Sequence, residues 1–321
     1  MTTPSSVLKE FPGFRKFPPA GKPMKRKGRQ RAEEERAAWG FLTPWLIGMA
    51  VLTLGPMVYS LYLSFTSYNL LSSPVWIGFD NFTRMMNDPR YWESVRVTLV
   101  YVVISVPVIL VVSMVVAILM NAGLKFIAGY RALFYLPSLL GASVAVATLW
   151  RQIFGDSGLV NNALAAIGIH HASWIGDPST ALLVIISLNA WAFGATMIIF
   201  LAGLRQVPQE LYEAASVDGA GRIRRFISVT LPAISPLIFF NVLLDTVHAF
   251  QAFTAAYVVS GGNGGPADST LFYTLYLYQQ GFTQLNMGYA SAMAWLLVIV
   301  LAVFTGLLFL TARFWVHYGD N

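Results

Sequence analysis

The sequence predicts an all-α integral membrane protein with about six transmembrane helices, on three observations. Of the 321 residues, 56% are hydrophobic and only 11% are charged, and the mean hydropathy is +0.60. Soluble domains carry about 25% charged residues, so this chain has too few polar side chains to cover a water-exposed surface. Second, several apolar runs reach the roughly 20 residues that a helix needs to cross a bilayer. Third, successive loops are alternately rich and poor in Lys and Arg, as expected of loops on the two sides of a membrane.

The apolar runs between polar or Gly- and Pro-containing segments define the candidate spans. Prolines lie inside the first three of them, at Pro44, Pro56, Pro107 and Pro137. Proline is tolerated in a membrane helix when neighbouring groups satisfy the carbonyls that it frees, so kinked and closely packed helices are expected. The predicted spans are 39–65, 94–121, 132–153, 180–204, 232–260 and 287–316.

Lys and Arg residues predict the orientation of these spans, because cytoplasmic loops carry the excess of positive charge. Both termini and the loop 205–231 are expected in the cytoplasm, and the loops 154–179 and 261–286 outside it. Of the 21 Lys and Arg residues, only four fall on the outer side of this arrangement: Arg84, Arg90, Arg96 and Arg151.

The N-terminal tail, residues 1–38, is strongly basic. A net charge of +6 and a pI near 9.5 would suit a nucleic-acid partner, but ten of the 21 basic residues lie in this tail, directly before a span. Basic segments in that position face anionic lipid, so membrane lipid and not nucleic acid is the expected partner. The rest of the chain divides into a transmembrane domain, 39–316, and a short cytoplasmic C-terminal tail, 317–321.

No catalytic or metal site is predicted. The chain has no cysteine, which excludes thiolate metal sites and cysteine nucleophiles. Residues 155–158, Gly-Asp-Ser-Gly, have the order of a serine-protease nucleophile segment, but they lie in a short outer loop without recognisable His and Asp partners. The adjacent His170 and His171 would point apart on regular structure, which does not favour a shared metal. Both segments are interpreted as loops.

The cytoplasmic loop 205–232 is the most informative segment. Residues 210–217 favour a short helix, and Asp218-Gly219 favours a turn. Pro232 is expected to begin the next span, where its missing N–H costs little.

Small and charged side chains on the predicted loop helix suit contact with another protein. Ala214 and Ala215 would let a second surface approach closely, and Glu213 offers a charge for pairing. The alternative is an amphipathic helix that lies on the membrane.

This loop resembles the signature of the permease subunits of binding-protein-dependent ABC importers. The signature reads Glu-Ala-Ala, three residues, Gly, nine residues, Ile, one residue, Leu-Pro. The chain has this spacing with Val in place of Ile, in Glu213, Ala214, Ala215, Gly219, Val229, Leu231 and Pro232.

Further segments resemble the carbohydrate-uptake branch of that family, in particular the first permease of maltodextrin-type importers. The resemblance covers roughly residues 39–316. The outer loop 261–266 is longer than the usual Gly-Gly-Gly-Pro, and the basic tail lies outside the family core. The matching segments are 78–82, 88–92, Leu136-Pro137, Trp150, Gly158-Leu159 with Asn161, 250–253, Gly261-Gly262, Pro266, Ser269-Thr270 and 276–278.

The resemblance implies a type I ABC importer-like transmembrane domain in a prokaryotic cytoplasmic membrane. It also implies two copies of a separate ATPase subunit that bind ATP and Mg, a second, non-identical permease subunit and an extracytoplasmic solute-binding protein. No cofactor is expected in this chain, which lacks the Gly-x-x-x-x-Gly-Lys-Ser/Thr loop that cradles phosphates. The residues implied to couple to the ATPase are Glu213, Ala214, Ala215, Asp218, Gly219, Leu231 and Pro232.

Polar side chains in the fifth predicted span suggest a substrate cavity. Asn241, Asp245, His248 and Gln251 recur at intervals of four, three and three, so they share one helical stripe. Ionisable groups at membrane depth usually face a cavity or the protein interior. Such polar groups with nearby aromatic rings suit a saccharide, and Asn189 in the fourth span is a further candidate. The alternative is a structural pairing of Asp245 with His248 or with another helix.

Two other functions remain open at this point. A secondary transporter or channel would work without an ATPase partner, and an ABC importer could carry a solute other than a sugar. The Glu-Ala-Ala loop favours the ATP-driven importer of a sugar or oligosaccharide over the first alternative.

Overall fold

The computed structural model describes residues 28–122, 126–141, 143–169 and 173–317. Most of the predicted N-terminal tail, the His170-His171 pair and residues 318–321 of the predicted C-terminal tail lie outside the described residues. The chain divides into two compact units, Met1–Val58 and Tyr59–Asn321.

The described residues are almost entirely helical. The only strands among them, β1 (Thr66–Ser67) and β2 (Val75–Trp76), pair in an antiparallel hairpin. The α-helices in chain order are α1 Gly28–Met49, α2 Gly55–Ser64, α3 Asp80–Met86, α4 Pro89–Asn121, α5 Ile127–Leu140, α6 Val144–Ile153, α7 Leu159–Ala165, α8 Ala181–Trp191, α9 Gly194–Gln206, α10 Gln209–Val217, α11 Arg222–Arg225, α12 Leu231–Phe250, α13 Thr254–Ser260, α14 Tyr273–Tyr278 and α15 Met287–Trp315.

Six spans are reached when two bent pairs of helices are each counted as one. Four continuous helices are long and apolar enough to cross a membrane: Glu34–Ser64, Pro89–Asn121, Arg222–Phe250 and Met287–Trp315. In the two bent pairs, α5 meets α6 at 99° and α8 meets α9 at 47°. The predicted fold class, all-α with about six membrane helices, is therefore confirmed.

The third and fourth spans are each interrupted by a break between two helices. The third breaks after α5, where Gly141 has a φ of +55° that ends the helix. The fourth breaks at Ala192–Phe193, directly before Gly194, which packs closely against α5. A β-carbon on Gly194 would lie 2.4 Å from the carbonyl oxygen of Phe134, so α9 begins where glycine allows it to touch α5.

The fifth span also differs from its prediction at both ends. Pro232 does not begin a helix, because α11, a π-helical segment at Phe226–Thr230 and α12 run as one helix from Arg222 to Phe250. The helix then ends ten residues before the predicted limit, and residues 251–253 separate it from α13. Apolar composition continues through this turn, so hydropathy alone cannot detect it.

Two π-helical segments stand directly before prolines. Residues 50–54 precede Gly55-Pro56, and residues 226–230 precede Leu231-Pro232. In each case the residue before proline donates its N–H five residues back, from Gly55 to the carbonyl of Ala50 and from Leu231 to that of Phe226. Proline has no N–H for an i→i−4 bond and its ring crowds the preceding turn, so the wider π turn keeps the helix continuous.

In the second unit, α4 is the central element and packs against α8, α9, α12 and α14. One apolar core gathers buried side chains of α4 such as Tyr101 and Val102 around Phe272 and Leu275. A second core lies towards the C-terminal end of α4, where Met120 packs with Phe200 and Ile234.

A single carboxylate, Asp88, ties the N-terminus of α4 to α14 and α15. It caps α4 by accepting from the backbone N–H of Arg90 at 3.0 Å. The buried phenol hydroxyls of Tyr276 and Tyr289 both donate to its Oδ2. Arg90 extends the network through a bidentate pair with Asp268, with N–O distances of 2.8 and 2.9 Å.

We expect Asp88→Ala to be strongly destabilising, because it removes a helix cap and leaves two buried hydroxyls without their acceptor. The combined cost is about 3 kcal/mol, which corresponds to a fall of roughly 5–10 °C in the thermal unfolding midpoint of the purified protein. Asp80→Ala is the control, since Asp80 is exposed in the first turn of α3. An Asp88→Ala midpoint equal to that of the control would contradict this role.

The same hydrogen-bond network makes the stability of the fold depend on pH. Burial alone would raise the pKa of Asp88, but the hydrogen bonds from Tyr276 and Tyr289, together with those from the backbone of Tyr91 and Arg90, outweigh it and hold the pKa below its usual 3.8. A group with a lowered folded-state pKa contributes stability above its unfolded pKa and loses it as the pH falls through the folded value. The stability difference between the wild type and Asp88→Ala should therefore be constant near neutral pH and shrink below about pH 4.

Candidate substrate cavity and coupling surface

A cavity of about 520 Å³ lies between α4, the broken pair α8–α9, α12 and the start of α13. All five residues that the sequence pattern suggested line its wall: Asn189, Asn241, Asp245, His248 and Gln251. Its volume falls within the range of about 300–1,000 Å³ that is usual for small-molecule sites.

The polar stripe of α12, from Asn241 to Gln251, becomes more exposed along the helix. Asn241 is buried, and its Nδ2 donates to the carbonyl of Leu237 one turn earlier at 2.9 Å. Asp245 is half-buried, whereas His248 and Gln251 are exposed. Gln251 stands just past the helix as its C-terminal cap. The helical spacing therefore spreads four polar side chains over about three turns of cavity wall.

No ion pair joins Asp245 to His248 in the part of the chain that the structure describes. Asp245 instead accepts a hydrogen bond from Thr196 on α9, with an Oγ1–Oδ2 distance of 3.4 Å. This contact crosses the cavity wall between two helices. Thr196 is thus a hydrogen-bond partner of the Asp245 carboxylate within the protein. The part of this carboxylate that lines the cavity is available to a solute.

The break between α8 and α9 places Asn189 on the cavity. Asn189 lies in the last turn of α8, and its Nδ2 donates to Ser105 Oγ on α4 at 2.6 Å. Ser113, two turns further along α4, donates to the carbonyl of Phe193 at 3.1 Å and satisfies an oxygen freed by the break. The amide of Asn189 is thus held by a fixed partner with its carbonyl end free for other contacts.

The sequence pattern of α4 held a signal that the hydropathy reading missed. Polar residues recur at Ser94, Thr98, Tyr101 and Ser105, at helical spacings of four, three and four inside an otherwise apolar span, and all four are buried. Tyr101 lines the cavity and Ser105 holds Asn189. This polar stripe, which reaches the cavity at Tyr101 and bonds to Tyr273 of α14 through Thr98, could have been read from the sequence in the same way.

The arrangement presents hydrogen-bonding groups of both kinds beside aromatic surface. Amides, a carboxylate and an imidazole on one wall can donate to and accept from hydroxyl groups. Tyr101 and Phe253 supply apolar ring faces on the same cavity. This combination can bind a polyhydroxylated ring, whose hydroxyls are polar and whose C–H faces are apolar.

The predicted coupling residues lie at a helix end with well-defined geometry. Helix α10 ends in a Schellman motif, in which Gly219 donates to the carbonyl of Ser216 and Ala220 donates to that of Ala215. Gly219 has a φ of +74°, the left-handed conformation that the sequence pattern required of it. The turn predicted at Asp218-Gly219 is confirmed.

Side-chain hydrogen bonds hold α10 against the helix that follows it. The hydroxyls of Tyr212 and Thr230 are 2.9 Å apart, and Arg225 donates to Ser216 Oγ at 2.8 Å. These contacts link α10 to α11 and to the π-helical segment after it, which together form the start of the long helix Arg222–Phe250. A displacement of α10 would therefore be passed directly to α12, which carries the polar stripe of the cavity.

The coupling residues divide into two groups by exposure. Glu213, Ala214, Asp218 and Gly219 are exposed, and Ala215 is half-buried. Beside them, the apolar residues Val217 and Ile223 expose 89% and 78% of their surface.

Leu231 and Pro232 are half-buried at the start of α12 and do not belong to this exposed surface. Pro232 lines a separate groove of about 700 Å³ together with Leu211 of α10. They set the geometry of the helix junction beneath α10.

The comparison with protein families decides what kind of protein carries this cavity and surface. Residues 82–318 match the family described as binding-protein-dependent transport system inner membrane component. The chain belongs to this family.

Curated relatives align with nearly the whole permease. It is 47% identical over 298 residues to the probable ABC transporter permease protein YesP of Bacillus subtilis (strain 168), covering 92% of this chain and 96% of the relative. It is 33% identical over 281 residues to the lactose transport system permease protein LacF of Rhizobium radiobacter, covering 86% and 93% of the two chains.

The fold of the permease also matches a solved structure. A chain of a bacterial ABC transporter involved in the import of the acidic polysaccharide alginate superimposes with a TM-score of 0.77, covering 89% of this chain and 98% of that one. The sequence identity is 23%, so this match concerns the fold. The permease is therefore a multi-span inner membrane protein with the fold of an ABC importer subunit.

Proposed function

We propose that the permease forms one half of the translocation pathway for a sugar or oligosaccharide that a solute-binding protein delivers. The observation that carries this proposal is the cavity, where amide, carboxylate and imidazole side chains from two helices lie beside Tyr101 and Phe253. The similarity to a lactose permease supports a saccharide as the solute.

The exposed end of α10 supports coupling to a separate ATPase subunit. Val217 at the end of α10 and Ile223 on the adjacent α11 are apolar and exposed, and the carboxylate of Glu213 lies on α10. A groove on an ATPase that takes this helix end would bury the apolar side chains and pair with the charge. Two such ATPase subunits, binding ATP and Mg, would drive one complex of this permease and a second, non-identical permease.

This arrangement requires both termini and α10 to lie in the cytoplasm and the 154–179 and 261–286 segments to lie outside. The positive charges support it, since the loops on the proposed outer side carry few of them. The proposal places the cavity mouth at His248 and Gln251 towards the outer face, where a binding protein would release its solute.

Cysteine labelling should confirm this orientation, because the chain has no cysteine of its own. We expect a membrane-impermeant maleimide added to intact cells or right-side-out vesicles to label Ser157→Cys, and to label Val217→Cys only after permeabilisation. Both side chains are exposed in the isolated permease. The permease is expressed without its ATPase partner for this experiment, so that docking of α10 does not cover Val217→Cys. Labelling of Val217→Cys in intact cells would overturn the orientation.

Co-purification tests the function itself. Affinity-tagged permease, extracted in mild detergent from membranes of its own host, should bring down an ATPase and a second permease. In nanodiscs, a binding protein loaded with the correct sugar should stimulate ATP hydrolysis by this complex, across a panel of neutral and uronic-acid sugars from mono- to pentasaccharides. A permease that purifies alone and moves sugar without ATP would contradict the proposal.

A further inference from the structure

A continuous series of aromatic rings leads from the cavity to the surface of the permease. Phe253, which lines the cavity, lies 5.4 Å from Tyr257 and 5.2 Å from Tyr278, measured between ring centroids. Tyr257 and Tyr278 are 5.6 Å apart, and Tyr278 stacks on Phe282 at 5.2 Å. We call these four residues the aromatic ladder.

The outer part of the ladder is open to its surroundings. Phe282 exposes 58% and Tyr257 39% of its surface, and Tyr278 is half-buried. Phe282 lies in a π-helical segment, Gln279–Thr283, that follows α14. Such segments are rare and often occur at functional sites. An aromatic side chain that serves only to fill a core would not be exposed to this extent.

The rings are held in place by the glycine loop 261–266, which is longer than the usual Gly-Gly-Gly-Pro. Gly262 has a φ of +84°, and a β-carbon there would lie 3.1 Å from the ring of Tyr257. Its N–H donates to the carbonyl of Tyr257 at 2.7 Å, and its own carbonyl accepts from Gln279 Nε2 at 2.8 Å. One glycine therefore fixes the spacing between the two segments that carry the ladder, so the rings are ordered before any ligand arrives.

The phenol hydroxyls of the ladder are available to a ligand. Within the described residues, neither Tyr257 nor Tyr278 forms a hydrogen bond through its hydroxyl, unlike Tyr273, Tyr276 and Tyr289, which all donate to protein oxygens. A surface that offers apolar faces and free hydroxyls together suits an amphipathic ligand. The exposed side chains of His248 and Gln251, on the same cavity as Phe253, add further polar groups.

We propose that the aromatic ladder is a stacking path along which the successive rings of an oligosaccharide bind between the outer face and the cavity. The positive C–H faces of a sugar ring are attracted to the negative face of an aromatic ring. Stacking of this kind is tolerant of position, so it allows a chain to shift from ring to ring without releasing all its contacts. The proposal rests on the proposed function and adds to it that the solute is an oligosaccharide.

Variants of the two outer rings separate stacking from other roles. Phe282→Leu and Tyr278→Leu keep an apolar side chain but remove the aromatic face, whereas Phe282→Tyr keeps the face. Phe79→Leu is the matched control, because Phe79 is an exposed aromatic residue outside the ladder. Each variant is assayed as the complete complex in proteoliposomes, with labelled sugars of increasing length from the panel above.

We expect the two leucine variants to raise the KM for tetra- and pentasaccharides about fivefold, the effect of losing one stacking contact. The KM for the monosaccharide of the same series should change less than twofold, and Phe282→Tyr should keep the wild-type KM for every sugar. Three results would show that these rings make a protein contact instead, and would overturn the inference. They are an equal rise in KM at every sugar length, loss of the second permease from the leucine variants, and a raised KM in Phe282→Tyr.

Failure of the proposed function gives a different result. If the wild-type complex transports no sugar of the panel, the proposed function fails and this inference falls with it. If the wild type transports sugars and the leucine variants have the wild-type KM at every length, only the aromatic ladder loses its role.

Discussion

Ala215→Trp is expected to abolish uptake while the protein still inserts into the membrane. Ala215 is half-buried in the last turn of α10, among exposed residues that we propose to contact the ATPase. An indole ring at this position would hold apart any surface that approaches the helix closely. Because α10 is hydrogen-bonded to the helix of the cavity, a complex that docks poorly would also fail to transmit ATPase closure.

Gly219→Val should give the same defect through the backbone. No atom lies within 4 Å of the position of an added β-carbon, so the cost comes from the φ of +74° alone. That cost is about 1–2 kcal/mol, and relief of the strain would reorient the end of α10. We expect a loss of uptake of about tenfold or more.

Gly221→Val is the matched control for the coupling loop. Gly221 is also exposed and free of neighbours, but its φ of −67° and ψ of 171° are open to all residues. Its variant should transport at close to the wild-type rate. The measurement is initial uptake alongside the amount of ATPase that co-purifies. Normal uptake by both Ala215→Trp and Gly219→Val would remove α10 from the coupling mechanism.

Asp245→Ala is expected to reduce the apparent sugar affinity by about tenfold or more while the complex assembles normally. A hydrogen bond from a sugar hydroxyl to a carboxylate contributes about 1.5–3 kcal/mol. Asp245 lies at the middle of the polar stripe, and its neighbour Thr196 donates to only one of its oxygens. His248→Ala, at the exposed end of the stripe, should have a smaller effect in the same direction.

The controls for the cavity separate binding from structure. Leu243→Ala removes more side-chain volume from the same helix but from a residue that does not line the cavity. Sugar-stimulated ATPase activity should depend on sugar concentration as in the wild type for Leu243→Ala, and should shift to higher concentrations for Asp245→Ala. A collapse of assembly in Asp245→Ala, with no separate defect in the assembled fraction, would indicate a purely structural carboxylate.

The polar stripe of α12 and the turn at the end of α10 could be predicted from the sequence, because local backbone geometry decides both. The intervals between Asn241, Asp245, His248 and Gln251 follow from the helical repeat, so they place four side chains on one wall wherever the helix lies. The glycine at the end of α10 likewise follows from a local backbone requirement, because residues with a β-carbon disfavour its left-handed conformation.

Features that depend on contacts between distant segments could not be read in the same way. Helix α9 begins at Gly194, whose backbone packs against Phe134, some sixty positions earlier in the chain, too closely for a β-carbon. Asp88 is hydrogen-bonded to Tyr276 and Tyr289, which lie far later in the sequence. The rings of the aromatic ladder come from α13, α14 and the residues next to these helices. Hydropathy averages over a window and carries no information about such pairings.

The central claim is that the permease moves a sugar through the cavity at the expense of ATP hydrolysed by a partner. Uptake of labelled sugar into proteoliposomes tests it most directly, with the complete complex reconstituted, the loaded binding protein outside and ATP and Mg inside. We expect accumulation that requires the binding protein and ATP together and that falls sharply in Asp245→Ala. Accumulation without ATP, or at the wild-type rate in Asp245→Ala, Ala215→Trp and Gly219→Val alike, would contradict it.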